Sequence, residues 1–535
     1  VLFLLHNTLG AWWAGKVLAA NPNLAASAKS ENELRAACRV GDVEWTYLRF
    51  VRDKSDDGDE GPWRPAAGTF EGWPKAAKDI TVLDPCMGSG HFLVFALPIF
   101  VAFRMAEEGQ SREAAVEAVL RDNLFGLEID PRCTQIAAFN LALAAWRRIG
   151  YRQLPALHLA CSGLSLGVSK AEWLKLAERA AQALPVPPKT DLLGTEDNLF
   201  SDASRRGFER LYDLFARAPW LGSLIDPRAA GGDLIEHGFD DLEPLLAQVM
   251  AKAETAELAE MAVAAQGLAK AAQILAGRFT LVVTNVPYLG RGKQDEVLKD
   301  YCERHHSQAK ADLATCFVER CLEFCVEGGS TALVTPQNWL FLGTYKKLRK
   351  RLLEEAQWEV VARLGEHGFD SPQAAGAFTA LLMLSRRRAG QDHRFAGWDA
   401  SAGATPAEKQ AALLSDAARV VNQAEQLCNP DLRVTFEEPN ALPLLGDFAD
   451  SYQGTTTGDN AKYIFSFWEL CLIEGDWVAF QAAPETSTAF DACELALRWE
   501  DGQGELATSR NARIQGQGAF GRPGVVVGQM RALPD

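Results

Sequence analysis

The sequence predicts an α/β fold built on a parallel, doubly wound sheet, and three stretches predict it. A short β-rich run, Ile80 to Leu83, is closed by Asp84 and followed by a glycine turn and an apolar helix ending near Glu107. A second strand, Asn123 to Asp130, leads into a helix from Arg132 to Arg148. After a long departure the pattern resumes at Phe279 to Thr284. Strands alternating with helices in this way pair in parallel, because a parallel pair needs a long crossover and a helix supplies it.

In chain order, residues 1–50 read as helical, with Trp12, Trp13 and Leu18 on one buried stripe. Residues 53–62 (DKSDDGDEGP) are charged and turn-rich and read as a loop. Residues 165–277 hold Pro/Gly loops at 184–195 and 226–232 and an Ala-rich amphipathic stretch from Leu242 to Ala276, so they read as a mostly helical insertion. Ala311 to Cys325 reads as the next helix, and Ser330 to Thr335 and Ala377 to Leu384 as further strands. Residues 401–428 are polar and helical in pattern, and from Leu442 a Gly/Thr-rich, strand-poor module begins. The predicted organisation is one domain over 1–400, with an N-terminal helical part over 1–78 and the insertion over 165–277. A helical linker over 401–441 and a further module over 442–535 follow. The chain opens on Val1 and stops in mid-pattern at Asp535, so it is expected to continue at both ends.

Composition narrows the function classes. Of 535 residues, 48% are apolar and 23% charged, as in a soluble chain with a large core. Seventy acidic against 54 basic residues give a formal charge of −16, which counts against a generally basic nucleic-acid coat. A local basic cleft on an acidic body stays compatible with it. The longest apolar run, His91 to Phe103, is broken by Pro98 and is shorter than the roughly 20 residues a membrane span needs, so no membrane partner is expected. Eleven cysteines without a C-x-x-C pair read as reduced, mostly buried thiols in a cytoplasmic protein. His305-His306 near Cys302 reads as a solvated helix face, and no metal site is expected. The basic runs 346–351 and 386–388 fit phosphate contacts and plain solvated surface equally well.

Three turns carry chemistry. In DPCMGSGHF (84–92), Gly88 and Gly90 let the backbone turn tightly from a strand into a helix whose first N–H groups suit an anion. An ordinary βα loop would look the same. In GLEIDP (126–131), Glu128 closes a strand where an acid can accept bonds from ribose hydroxyls, and Asp130 follows on the same side. An exposed strand-end carboxylate is the plain alternative. In VVTNVPY (282–288), an apolar strand delivers Asn285, able to accept a hydrogen bond from an exocyclic amine. Pro287 stiffens the turn, and Tyr288 can lay its ring on a flat base. A turn with one buried tyrosine is the plain alternative.

Together these motifs resemble the amino-methyltransferases that use S-adenosylmethionine. DPCMGSGHF is similar to their cofactor motif, GLEIDP to their ribose motif, and TNVPY to their Asn-Pro-Pro-Tyr motif with Val286 in place of the first proline. The order, with cofactor motif first, catalytic motif next and recognition module last, is that of γ-class N6-adenine DNA methyltransferases. DLATCF (312–317), GGSTALVTPQNWLF (328–341), SYQGTTTGDNAKYI (451–464) and AFGRPGVVVGQM (519–530) extend the resemblance to type IIG restriction–modification enzymes and to PglX-like methyltransferases of BREX phage defence.

The resemblance implies a Rossmann-like methyltransferase sheet, a C-terminal target-recognition module, S-adenosylmethionine as cofactor, and double-stranded DNA as partner alongside further defence-system subunits. It implies adenine-N6 transfer with base flipping, carried by Asn285, Val286, Pro287 and Tyr288, with Phe369 on the far side of the flipped base. Asp84, Pro85, Gly88, Gly90, Glu128, Ile129 and Ser162 would bind the cofactor, Ser162 standing where an Asp is common. Thr457, Gly458 and Asn460 would serve DNA recognition. Two other readings stay open: a catalytically silent DNA- or cofactor-binding subunit, and a methyltransferase acting on RNA or on a protein amide.

Overall fold

In a computed structural model of the chain, the described residues are 1–54, 60–164, 169–174, 209, 212–230, 256–369, 376–436, 443, 445–471, 475–482 and 494–526. The chain divides into two compact units, Val1–Glu438 and Pro439–Asp535.

The first unit opens with helical turns over residues 2–37, then a hairpin of β1 (Phe50–Lys54) and β2 (Glu60–Pro65). The hairpin corrects the expectation of a helical part ending in a loop. Pro62, Pro65 and the charged residues hid it, yet Phe50 and Val51 are buried. A nine-stranded sheet follows. Its strands are β3 (Val82–Asp84), β4 (Leu124–Glu128), β5 (His158–Cys161), β6 (Phe279–Asn285), β7 (Cys325–Pro336), β8 (Gln357–Gly365), β9 (Thr379–Ser385), β10 (Arg394–Asp399) and β11 (Arg419–Asn422). They lie in the order β11-β10-β8-β9-β7-β6-β3-β4-β5. β9 and β11 run against their neighbours, so the sheet is mixed where a parallel one was expected. The other adjacent pairs are parallel.

Side chains on a strand alternate between faces. In β6, Leu281 and Val283 join the core on one face and Val282 the core on the other. Helices His91–Glu108 and Pro131–Ile149 cover the first face, with the N-terminal segment packed on them through Trp12, Trp13 and Phe103. Helices Ala256–Ala276, Leu313–Phe324 and Lys346–Glu355 cover the second. Of the predicted insertion, the loop at 184–195 and the start of the Ala-rich stretch lie outside the described residues. Helix Ala256–Ala276 carries the remainder of that stretch.

Residues 401–428, expected as part of a linker, belong instead to the first unit. Thr405 caps the helix Pro406–Ser415, and the buried Lys409 of that helix donates to the carbonyls of Leu364 and Ala400 at 2.5 and 3.4 Å. β11 then pairs with β10. Arg49 ties the N-terminal hairpin to this region. It is 2% exposed, binds Glu31, and donates to the carbonyls of Leu413 and Asp416 at 2.5 and 2.7 Å.

Where β7 and β9 pair Ser330 with Ser385, a buried polar chain forms. Trp73 donates to Ser330, the two serines meet at 2.8 Å, and Ser385 donates to Glu359 at 2.6 Å. Burial pushes the Glu359 carboxyl up from 4.5 to about 7. The folded chain therefore keeps a proton there over a range in which the unfolded chain has released it. The stability from this group is complete below about pH 4.5 and is lost as pH rises to about 7. Glu359→Gln is expected to exceed wild type in urea unfolding free energy at pH 8 by up to about 3 kcal/mol, and to lose most of that margin at pH 5. An equal margin at both pH values would contradict it.

The second unit has three short antiparallel strands, β12 (Ile464–Ser466), β13 (Trp477–Phe480) and β14 (Leu495–Arg498), in the order β12-β14-β13. Tyr463, Leu497 and Leu506 form its small core. Among the described residues of the whole chain, no helix is long and apolar enough to cross a membrane.

Candidate active site

Strand order reverses between β3 and β6: β4 and β5 lie to one side and the later strands to the other. In such sheets ligands bind in the crevice outside the carboxyl ends of the strands at that switch point. Asp84 ends β3, Glu128 ends the adjoining β4, and Asn285 ends β6. The three sequence motifs therefore share one edge of the sheet.

The glycine turn is held from behind. Gly88 and Gly90 take φ of +53° and +83°, the left-handed region where glycine is at no disadvantage. A Cβ at Gly90 would stand 3.1 Å from the Ala137 methyl, whereas one at Gly88 would meet nothing within 4 Å. Helix His91–Glu108 starts at Gly90 with no side-chain cap, leaving its first N–H groups for another partner. Asp84 is 1% exposed and accepts from the Cys86 N–H at 3.2 Å. Burial pushes its carboxyl up to about 7, opposed by the Thr284 hydroxyl and the Cys86 N–H.

Glu128 joins the first motif to the second. Its Oε2 accepts from the Gly88 N–H at 2.7 Å, and its Oε1 from the N–H groups of Ile129 and Asp130 at 2.9 and 3.1 Å. With two bonds on Oε1 and one on Oε2, the carboxylate keeps room for a further donor at Oε2. Asp130 does other work: it caps helix Pro131–Ile149 and binds Arg132, whose hydrogen bond draws its carboxyl down to about 2. Ile129 keeps 43% of its surface exposed.

Ser162 stands behind the crevice. It is fully buried, and its hydroxyl meets that of Ser223 at 3.2 Å. Ser223, which no sequence motif singled out, donates to the Pro85 carbonyl at 2.6 Å.

At β6, Asn285 is exposed, while Val286 is buried with its N–H on the Val334 carbonyl at 3.3 Å. Pro287 and Tyr288 are half-buried. Burial pushes the Tyr288 phenol well up, with the Thr379 hydroxyl beside it. Asp312 clamps the chain beyond the turn. Its Oδ1 accepts from Leu289 at 3.3 Å and from Ala314 at 2.9 Å, capping the next helix. Gln294 adds a bond to the Leu289 carbonyl at 3.0 Å. Tyr288 packs on the core of one sheet face and Phe369 on that of the other.

In the second unit Thr457 turns inward, while Gly458 and Asn460 stay exposed. Thr457 is 1% exposed and donates to the Asn460 side chain at 2.6 Å. A Cβ at Gly458 would lie 2.5 Å from the Asn511 carbonyl oxygen. These three residues thus build the second unit's own turn. The basic run 346–351 breaks up as well: Arg349 is buried, Lys346 pairs with Asp431, and Lys350 pairs with Glu354. His305 is exposed, as a solvated helix face requires, and stacks on Tyr301, whereas His306 is buried against Glu319 at 2.8 Å.

Residues 122–369 match the family described as Eco57I restriction-modification methylase. The chain carries an Eco57I restriction-modification methylase domain. The matched span begins just before Glu128, takes in Asn285 to Tyr288 and ends at Phe369. The predicted Rossmann-like methyltransferase fold is the fold of this methylase domain and its sheet.

The chain is 26% identical over 427 residues to the adenine-specific methyltransferase PglX of Lacticaseibacillus casei (strain Zhang), covering 74% of this chain and 32% of that protein. It is 28% identical over 324 residues to the adenine-specific methyltransferase BrxX of Escherichia coli O9:H4 (strain HS), covering 58% of this chain and 26% of that one. The chain thus spans about a third of the first relative and a quarter of the second. Among solved structures, the type IIL restriction-modification enzyme MmeI in complex with DNA aligns at a TM-score of 0.36 and 12% identity, over 74% of this chain and 41% of that one.

Proposed function

We propose that the chain is the catalytic part of a site-specific DNA adenine-N6 methyltransferase that uses S-adenosylmethionine in restriction–modification or phage defence. The reading is carried by the Asn285–Tyr288 turn standing at the same switch point as the glycine turn and Glu128, with both adenine-specific relatives in support.

The residues present fit the cofactor. The uncapped helix start at His91 suits its carboxylate. The free acceptor capacity of Glu128 suits a ribose hydroxyl, and the exposed face of Ile129 suits its adenine ring. Asp84 and Ser162, both buried, shape the site from behind. When bound, S-adenosylmethionine supplies an electrophilic methyl group.

The chain's own work is on the acceptor. An adenine N6 inside a duplex is out of reach, so the base must leave the stack at a cost of a few kcal/mol. Tyr288 and Phe369 offer ring faces to offset that cost, base–aromatic stacking being worth about 1–3 kcal/mol. The N6 lone pair is delocalised into the ring, which makes the amine a poor nucleophile. The Asn285 side-chain oxygen and the Val286 carbonyl accept hydrogen bonds from its two N–H groups and favour a tetrahedral nitrogen with its lone pair directed outward. Thr457, Gly458 and Asn460 serve recognition of DNA by holding the shape of the second unit's turn.

The test is transfer of a tritiated methyl group by protein carrying this chain, offered adenine-containing duplex DNA, RNA and a glutamine peptide in parallel. Label recovered as N6-methyladenine from the duplex is the expected result. Label confined to RNA or peptide, or none in any acceptor, would overturn the reading.

A further inference from the structure

The short segment after Leu221 comes from the region read as a helical insertion, yet it touches both cofactor motifs and Ser162. Ser223 is 3% exposed, and its hydroxyl donates to the Pro85 carbonyl at 2.6 Å. A serine hydroxyl has one hydrogen, and that bond uses it. The 3.2 Å contact with Ser162 is therefore donated by Ser162, so a directed chain runs from Ser162 through Ser223 to Pro85. Beside it, Gly222 sits at φ +50°, where a Cβ would come within 3.1 Å of the Ile129 side chain.

The same segment is gripped from the side of the methyl-accepting turn. Arg320 is fully buried in helix Leu313–Phe324 and donates to the carbonyls of Ser223 and Ile225 at 3.2 and 2.7 Å. The Tyr301 hydroxyl donates to the Leu224 carbonyl at 2.8 Å. Both residues belong to helices that follow the Asn285–Tyr288 turn.

We propose that Ser223 is a positioning residue for the cofactor. It fixes the buried Pro85 carbonyl, and through it the glycine turn, in the conformation the ligand needs before the ligand arrives. The proposal rests on the cofactor reading of that turn. Without the hydroxyl, the buried carbonyl loses its partner, and the turn gains freedom to rotate toward another.

Titration calorimetry with S-adenosylmethionine and S-adenosylhomocysteine tests it. Ser223→Ala is expected to bind both about five- to tenfold more weakly, the worth of one such hydrogen bond. KM for the cofactor rises by the same factor, while kcat falls by less. Ser162→Ala keeps the Ser223–Pro85 bond and is expected to lose only about two- to threefold. Ser111→Ala removes a distant helix cap and serves as the stability control, with lowered stability and unchanged cofactor affinity. Wild-type affinity in Ser223→Ala, or an equal loss in Ser111→Ala, overturns the proposal alone. Should Ser223→Ala fail to fold, Ser223→Cys, close in volume with a weaker donor, decides: weakened cofactor binding supports the proposal and wild-type affinity overturns it. No cofactor binding by the wild-type protein would overturn the reading of the site and the proposal with it.

Discussion

Asn285→Ala is expected to lower methyl transfer by about a hundred- to a thousandfold, the usual consequence of deleting one aimed polar group at a reacting centre. The side chain stands exposed at the end of β6, so its removal leaves no cavity and costs little stability. The glycine turn and Glu128 hold each other through the Gly88 bond without help from Asn285. Cofactor affinity should therefore stay near wild type while kcat collapses. Single-turnover transfer with saturating DNA and cofactor measures the chemical step directly. Transfer within tenfold of wild type would remove Asn285 from the mechanism.

Arg49→Met is expected to cost about 2–4 kcal/mol of unfolding free energy, the loss of charged hydrogen bonds and of the donor to a buried carbonyl. The guanidinium is 2% exposed, pairs with Glu31, binds two carbonyls and lies 5.2 Å from the Trp398 ring centre. Methionine fills much of the volume but leaves the Leu413 carbonyl without a donor, while Glu31 keeps Arg35 and the Phe50 N–H and the Asp416 carbonyl keeps the Trp398 indole. Urea unfolding of the whole chain measures the loss. A change below 1 kcal/mol would mean that the hairpin and helix Pro406–Ser415 do not depend on that junction.

How much of this could be read from the sequence divides along the range of the interaction. Asp84, Gly88, Gly90, Glu128 and Asn285 announce themselves because turn chemistry is local, and an apolar run ending in Asp, Glu or Asn is visible in a few residues. Their convergence at one edge follows from strand order, which the motif sequence implied. β8 was missed because it is buried on both faces and lacks alternation, and β11 because four residues among polar neighbours resemble a linker. Ser223 was invisible for another reason. Its partners Ser162 and Pro85 lie 61 and 138 residues away, and no local pattern encodes a bond over that distance. The motif around Thr457 was legible as a motif, but Thr457 itself is spent on Asn460, which leaves Asn460 exposed with its amide N–H groups.

The reversal of β9 has a consequence for how such proteins diversify. Because β9 runs against β8, the two strands can be joined at their shared end with no crossover to thread. Doubling the length of such a connection costs only about 0.6 kcal/mol of closure entropy. The length of chain between β8 and β9 can therefore change while the two strands keep their register. Variation in the length of that connection is compatible with an unchanged sheet.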